Sequence, residues 1–352
     1  MESMENGFVL ATSPTDTPVE LYVLRHKLQI CSSDLAELPR FVHAIIKISL
    51  LEGSSPQFFS FTETGSEFTL VLPEEEVENF PSGLRTSGKS WRAITVSAGA
   101  IVGFVDLAGV SKIAKAVISP LADCGITVFC ISTYQSDFIL VQEANLSQAI
   151  ECLGKRFKIF DENHAKIGGP KRGAMMNSIF TDLKKSSVIS KPLYFPSEDY
   201  YVTGISPSNL FKVTQTMLEL MFFPTKNMHP EMGRIEAGMQ KELFFHFSII
   251  DGDVSFILDE DSLSKFPPNT IYHPSSREKW KMIHVGDSPL GFDETGIVSN
   301  ITEPLAAAQI SIYYISTFDY DHALVPEGEI GTVKTLLEKS WNITNGTGPC
   351  DN

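Results

Sequence analysis

At 352 residues, 43% of them hydrophobic, the chain is long enough for two or more packed units, each with a core of its own. Lys and Arg number 28 against 43 Asp and Glu, and the formal charge of -15 repels phosphate backbones, so nucleic acid is not an expected partner. The five cysteines, Cys31, Cys124, Cys130, Cys152 and Cys350, show no CxxC spacing and an odd count, which reads as reduced cytosolic thiols, and no apolar run approaches the roughly 20 residues that a bilayer requires.

Residues 1–18 hold Met, Glu, Asn, Ser, Thr and Pro around one short apolar run and read as a flexible tail. From Asp34 to Leu51 the residues Leu35, Leu38, Val42, Ile45, Ile46 and Leu50 recur at helical spacing and predict an amphipathic helix. Phe58 to Thr62 and Phe68 to Leu72 are short β-prone runs about Gly65, a hairpin, and the acids Glu74, Glu75 and Glu76 then suit the first turn of a short helix. Val110, Ile113, Ala114, Val117, Ile118 and Leu121 mark another helical face that stops near Gly125, with strands at Ile126 to Ser132 and Phe138 to Val141 after it. Residues 161–195 carry a Gly-Gly-Pro turn and no sustained periodicity, and read as a linker.

The remainder repeats what came before. FFSFTETGSEFTLVLPEEEVENFP (58–81) aligns without gaps onto FFHFSIIDGDVSFILDEDSLSKFP (244–267), with 7 identities in 24 positions, and its hairpin turn becomes Asp251-Gly252. PLADCGITVFCISTYQSDFILV (120–141) aligns onto PLAAAQISIYYISTFDYDHALV (304–325), with 10 in 22. The offsets, 186 and 184, nearly agree. Between the blocks Trp91, Ile94 and Val96 match Trp280, Ile283 and Val285, each set followed by a Gly-Phe pair. Each half, about 140 residues, has room for two subdomains. A strand, a helix, a strand pair and a second helix, written four times, predict an α+β fold of four ferredoxin-like βαββαβ units in tandem duplication. The expected boundaries are 1–18 tail, 19–86, 87–160, 161–195 linker, 196–275, 276–341 and 342–352 tail.

The chemistry of known catalysts is missing: no Walker loop, no GxGxxG after a strand, no HExxH and no GxSxG elbow. The eight histidines lack metal-ligand spacing, and His43, His246 and His322 read as packing or surface residues. The sequence therefore points to a binding protein and not an enzyme, with no cofactor or metal. A small-ligand candidate remains where GFDETGIV (291–298) opens a helix and STFDYD (316–321) lies between two strands. A free amino acid's carboxylate suits N–H groups at a helix start, and a guanidinium suits carboxylate or carbonyl oxygens in its plane with an aromatic face beside it. These residues permit arginine without singling it out, since Glu294 is also an ordinary first-turn acid and Asp321 an ordinary turn carboxylate.

The segments 118–143 and 289–327, together with FFSFTET and KFP, closely resemble the CASTOR, or GATS-like, family of cytosolic arginine sensors of the TOR growth pathway. The resemblance covers nearly both halves and implies four ACT domains. It implies L-arginine bound between the second and fourth of them, at Thr127, Val128, Gly291, Glu294, Thr295, Gly296, Ile297, Val298, Thr317, Phe318, Asp319, Tyr320 and Asp321. Asp321 and the 317–320 carbonyls would take the guanidinium, and Thr127 with the 294–298 turn the amino and carboxyl ends. Thr127 stands where the family's arginine binder has Ser, Thr295 in place of Cys, and Asp319-Tyr320 in place of Asn-Phe. A GATOR-like complex subunit, bound without arginine, would contact Tyr134, Gln135 and Asp137, and a homodimer is implied. The rival reading is an ACT regulatory protein that binds another amino acid, or none, and controls a biosynthetic enzyme.

Overall fold

The computed structural model describes residues 20–51, 58–97, 116–170, 191–223, 244–272 and 278–345. The expected tail 1–18, the helical positions 110–115 and most of the linker lie outside them. Among the described residues the strands form two largely antiparallel sheets, each running through both halves of the chain, joined into one closed barrel where Leu28 pairs with Trp91 and Tyr200 with Trp280.

The first sheet is ordered β5 (Arg85–Thr86), β2 (Leu28–Asp34), β4 (Glu67–Pro73), β3 (Phe58–Glu63), β13 (Phe245–Ile250), β14 (Asp253–Asp259) and β12 (Asp199–Ile205). Its midline is the β3–β13 pair, in which Phe61 lies opposite Phe247, its own copy in the repeat. Asp251 and Gly252 turn β13 into β14 with φ of 50 and 80, the double positive φ of a tight hairpin. Helices α1 (Leu38–Ile46) and α4 (Leu210–Phe222) cover one face, and Phe41, Ile45, Val213 and Met217 pack there against Phe59, Phe61, Phe247 and Phe256.

The second sheet begins β10 (Lys166–Gly168), β9 (Lys158–Asp161), β1 (Glu20–Val23), β6 (Trp91–Ser97), β8 (Asp137–Gln142) and β7 (Val128–Ser132). It continues through β16 (Tyr313–Ser316), β17 (Asp321–Pro326), β15 (Trp280–Val285), β11 (Pro192–Phe195) and β18 (Asn342–Asn345). Here too the midline pairs a residue with its copy, Ile131 with Ile315. Helices α2 (116–123), α3 (Leu146–Leu153), α6 (Ile297–Ala307) and α7 (Ile330–Leu337) line its outer face, with Val117, Leu121, Leu153, Ile301 and Leu337 in the core. A short helix, α5 (Glu260–Ser264), follows β14 in the first sheet. The faces the two sheets turn toward each other are apolar as well, joining Leu28, Ile30 and Phe58 to Trp91, Phe129 and Tyr313. Because both faces of each sheet are buried, runs such as FFSFTE and FHFSII are buried throughout and do not alternate hydrophobic with polar.

The pairing differs from the sequence expectation at the ends of the units. Glu20–Val23 joins the second sheet beside β6, although it precedes the first unit's strands. Lys166–Gly168 and Pro192–Phe195, read as linker, are strands of that sheet, and Asn342–Asn345, read as tail, pairs with β11. A strand of three or four residues has no periodicity to announce it, and the parallel partners of Glu20–Val23 and Pro192–Phe195 lie far off in the chain. His246 and His322 are fully buried and His43 is exposed. No described helix is long and apolar enough to cross a membrane.

Candidate functional site

Around the β7–β16 midline the two halves exchange side-chain hydrogen bonds in matched pairs. The Cys130 N–H donates to Ser316 Oγ at 3.1 Å, and the Tyr314 N–H to Ser132 Oγ at 3.0 Å. Just beyond, the turns 133–136 and 317–320 seat on the first sheet, the Tyr134 N–H donating to Ser255 Oγ at 2.8 Å and the Phe318 N–H to Thr69 Oγ1 at 2.9 Å. Both turns begin with a Thr whose hydroxyl oxygen lies within 3 Å of the carbonyl three residues on, Thr133 beside Ser136 at 2.9 Å and Thr317 beside Tyr320 at 2.8 Å.

A cavity of about 40 Å³ lies between the start of β7, the turn into β17 and the N-terminus of α6. Of the residues the sequence singled out, Thr127, Val128, Gly291, Glu294, Gly296, Ile297, Val298, Thr317, Phe318 and Asp321 line it. Gly296 stands at the N-cap of α6 with φ 87, a left-handed conformation that glycine adopts at no steric cost and that aims the helix start at the cavity. Asp321 is 7% exposed and accepts a hydrogen bond from Tyr314 Oη at 3.1 Å. Burial pushes its carboxyl up to about 6, with a smaller push from the Glu294 carboxylate, while hydrogen bonds from Ser316 and Tyr314 hold it back. Glu294 is exposed and pairs with Lys191 at 3.2 Å.

Three expected residues turn elsewhere. Thr295 is exposed, and the Tyr320 ring lies 4.9 Å from that of His284. The Asp319 carboxylate faces Arg85 at 3.1 Å. The carbonyls of Asp319 and Tyr320 already accept from the N–H groups of Leu290 at 2.6 Å and Thr317 at 2.7 Å. Residues missed from the sequence, Trp91, Phe129, Leu290, Phe292 and Ser316, complete the lining. Trp91, Phe292 and Phe318 form a run of edge-to-face rings at 5.7 and 5.0 Å. Trp91 and Phe292 belong to the repeated Trp and Gly-Phe positions, which was the one signal available. The 291–296 turn is tied to the first half by Gln142 Nε2 donating to the Phe292 carbonyl at 3.0 Å and by the Lys89–Asp293 ion pair.

At the other turn, the Tyr134 ring stacks on Tyr272 at 5.8 Å and Gln135 is exposed. Asp137, the repeat copy of Asp321, is 8% exposed, and burial pushes its carboxyl up to about 7. So enclosed, its side chain offers less surface than the exposed Gln135 beside it. Among the described residues no group of His, Cys, Asp or Glu is placed to hold a metal ion.

Residues 27–84 match the family model for the N-terminal domain of the cytosolic arginine sensor for mTORC1 subunit 1, and residues 191–275 the ACT-like model for subunits 1/2. Residues 86–155 and 275–339 match the ACT domain model. The chain is 38% identical over 328 residues to the mouse (Mus musculus) protein named cytosolic arginine sensor for mTORC1 subunit 1, covering 91% of this chain and 97% of that one. The human (Homo sapiens) protein of that name is 36% identical over 324 residues, covering 91% and 98%. An aspartate kinase structure from Synechocystis overlaps 99% of this chain and 60% of its own at 11% identity, with a TM-score of 0.33, too remote to bear on how the units are arranged.

Proposed function

The chain belongs to the family of cytosolic arginine sensors for mTORC1, an α+β, ACT-domain family named for sensing and not for catalysis, and from that premise we propose that it is a cytosolic sensor of L-arginine built of four ACT domains. The observation that carries the reading is the buried Asp321 carboxylate on a cavity that also receives the start of α6. A buried anion facing a guanidinium, opposite N–H groups that suit the ligand's own carboxylate, is the arrangement that a cationic amino acid needs and a neutral one cannot use fully. The Thr127 hydroxyl and the aromatic run of Trp91, Phe292 and Phe318 supply a polar contact and a flat wall.

A cavity of about 40 Å³ holds a few waters and not an arginine, so binding moves the 291–296 turn outward. Such a movement gives up the solvent-exposed Lys89–Asp293 pair and the Gln142 hydrogen bond to the Phe292 carbonyl. Displacement of 316–321 reaches the 132–137 turn through the paired serines Ser132 and Ser316. This supports a switch in which a GATOR-like subunit of the TOR pathway docks on the patch of Tyr134, Gln135 and Asp137 and is released by arginine. A homodimer completes the reading and is tested by sedimentation of the purified chain. Calorimetry with L-arginine should give one site per chain, and a pull-down from source cells should recover less partner when arginine is added. Equal recovery with and without arginine would leave a binder without a switch.

A further inference from the structure

The ligand turn is gripped from the first unit by an arginine of the chain itself. Arg85 stands on β5, the two-residue strand beside Cys31 and Ser32 of β2. Its Nη2 donates to Glu67 Oε2 at 2.6 Å, to Ser32 Oγ at 3.0 Å and to Asp319 Oδ2 at 3.1 Å, and its guanidinium carbon lies 4.8 Å from the Phe318 ring centroid. Glu67 is 5% exposed, so the cation is held against an anchor that the fold fixes in place. Asp319 and Phe318 belong to the 317–320 turn, and Phe318 also lines the cavity beside Asp321. The same Asp319 offers its carbonyl to the Leu290 N–H, at the head of the segment that leads into α6. One guanidinium therefore ties the first unit to both loops of the candidate site.

The copy of this turn in the first half is held differently. Thr133 Oγ1 donates to Asp253 Oδ2 at 2.7 Å, where Asp253 is the repeat copy of Glu67, and the Tyr134 ring rests on Tyr272 in the place that Arg85 takes under Phe318. The duplication kept the seat and gave the cation to the second-half turn.

We propose that Arg85 is a positioning residue for arginine binding, holding the 317–321 turn in its receiving shape from outside the cavity by the Nη2 contact to Asp319 and the guanidinium face over Phe318. The inference rests on the arginine-sensor reading above. A flat guanidinium face against the Phe318 ring, with one of its nitrogens reaching Glu67 and Asp319 together, is what lysine lacks, so charge alone does not replace it.

Calorimetry with L-arginine on the full chain tests it, using Arg85→Ala, Arg85→Lys, Asp319→Asn and the Arg85→Ala/Asp319→Asn double variant, with Asp321→Ala as reference. Both Arg85 variants should bind about tenfold more weakly, a loss of about 1.4 kcal/mol. The double variant should lose no more than Arg85→Ala alone, because the two residues act through one contact. Methylguanidinium at millimolar concentration should restore part of the affinity of Arg85→Ala and none of that of Arg85→Lys, whose side chain occupies the slot; wild type at the same concentration corrects for competition. Should Arg85→Ala not fold, Arg85→Lys and Asp319→Asn carry the same test. Wild-type affinity in the Arg85 variants, with binding lost in Asp321→Ala, would overturn the clamp and leave the arginine site standing. Absence of binding by the wild-type chain would remove the site reading and the clamp with it.

Discussion

A carboxyl group that burial holds near 6 is half protonated in mildly acidic solution, and only its anion can pair with a guanidinium. Arginine affinity should therefore be flat above neutrality and fall as pH drops through about 6, the value to which burial lifts Asp321. Calorimetry at pH 5, 6 and 7.5 reads this directly. The sign reverses for the ligand-free fold. Its Asp321 is raised above the ordinary 3.8, so the stability the group contributes is fully present below that value, when it is protonated, and is lost as pH rises through about 6. At pH 7.5 Asp321→Asn should then melt no lower than wild type without ligand, since the amide oxygen still accepts from Tyr314, yet show no arginine-induced shift. Much of this site was legible as residues: Asp321 and the 291–298 segment stood out as acids beside a helix start. The direction of each side chain was not. A four-residue turn sends neighbours to opposite sides, so Phe318 and Asp321 line the cavity while Asp319 and Tyr320 pack behind it, and no pattern in the letters distinguishes them.

Two element-scale devices hold the site in shape. The first is the left-handed Gly296 that opens α6. A Cβ added there would meet Asn300 Nδ2 at 3.6 Å, an ordinary contact, so the cost of Gly296→Ala is backbone conformation alone. It should destabilise the chain by about 1–2 kcal/mol in urea titration and weaken arginine as well, because the helix start would shift. The second is the exchange of Ser132 and Ser316 hydroxyls across the midline. Ser316→Ala leaves the buried Cys130 N–H without its acceptor, and Ser132→Ala does the same to Tyr314, each costing about 1–3 kcal/mol by chemical denaturation. Ser316 lines the cavity and Ser132 does not, so arginine binding should suffer more in the former. The hairpins around these residues were readable from period and turn chemistry, with Asp251-Gly252 the strongest signal. The sheet membership of Glu20–Val23 and Pro192–Phe195 was not, because a four-residue strand is placed by tertiary pairing and not by its own sequence.

For the molecule as a whole, the repeat was visible at its offsets of 186 and 184, and the structure adds that each sheet is closed by pairing a strand with its own copy. Neither half is then complete alone: residues 1–160 would expose the full edges of β3 and β7, both wholly or largely buried and apolar. Such a fragment should associate or aggregate in size-exclusion chromatography, since a long apolar edge templates further pairing. The proposed switch uses the same pairing to carry a change at the 317–320 turn to the 133–136 turn. Family membership rests on the relatives and not on any motif of reaction chemistry, so the ligand itself is the claim most in need of a direct trial. Thermal unfolding of the chain and of Asp321→Ala in the presence of each of the twenty amino acids provides it. L-arginine at 100 times its dissociation constant should stabilise the wild type by about 2.7 kcal/mol, a melting shift of several degrees absent from Asp321→Ala, with lysine and the neutral amino acids giving little or none. A shift produced by another amino acid and not by arginine, or an arginine shift undiminished in Asp321→Ala, would contradict the account.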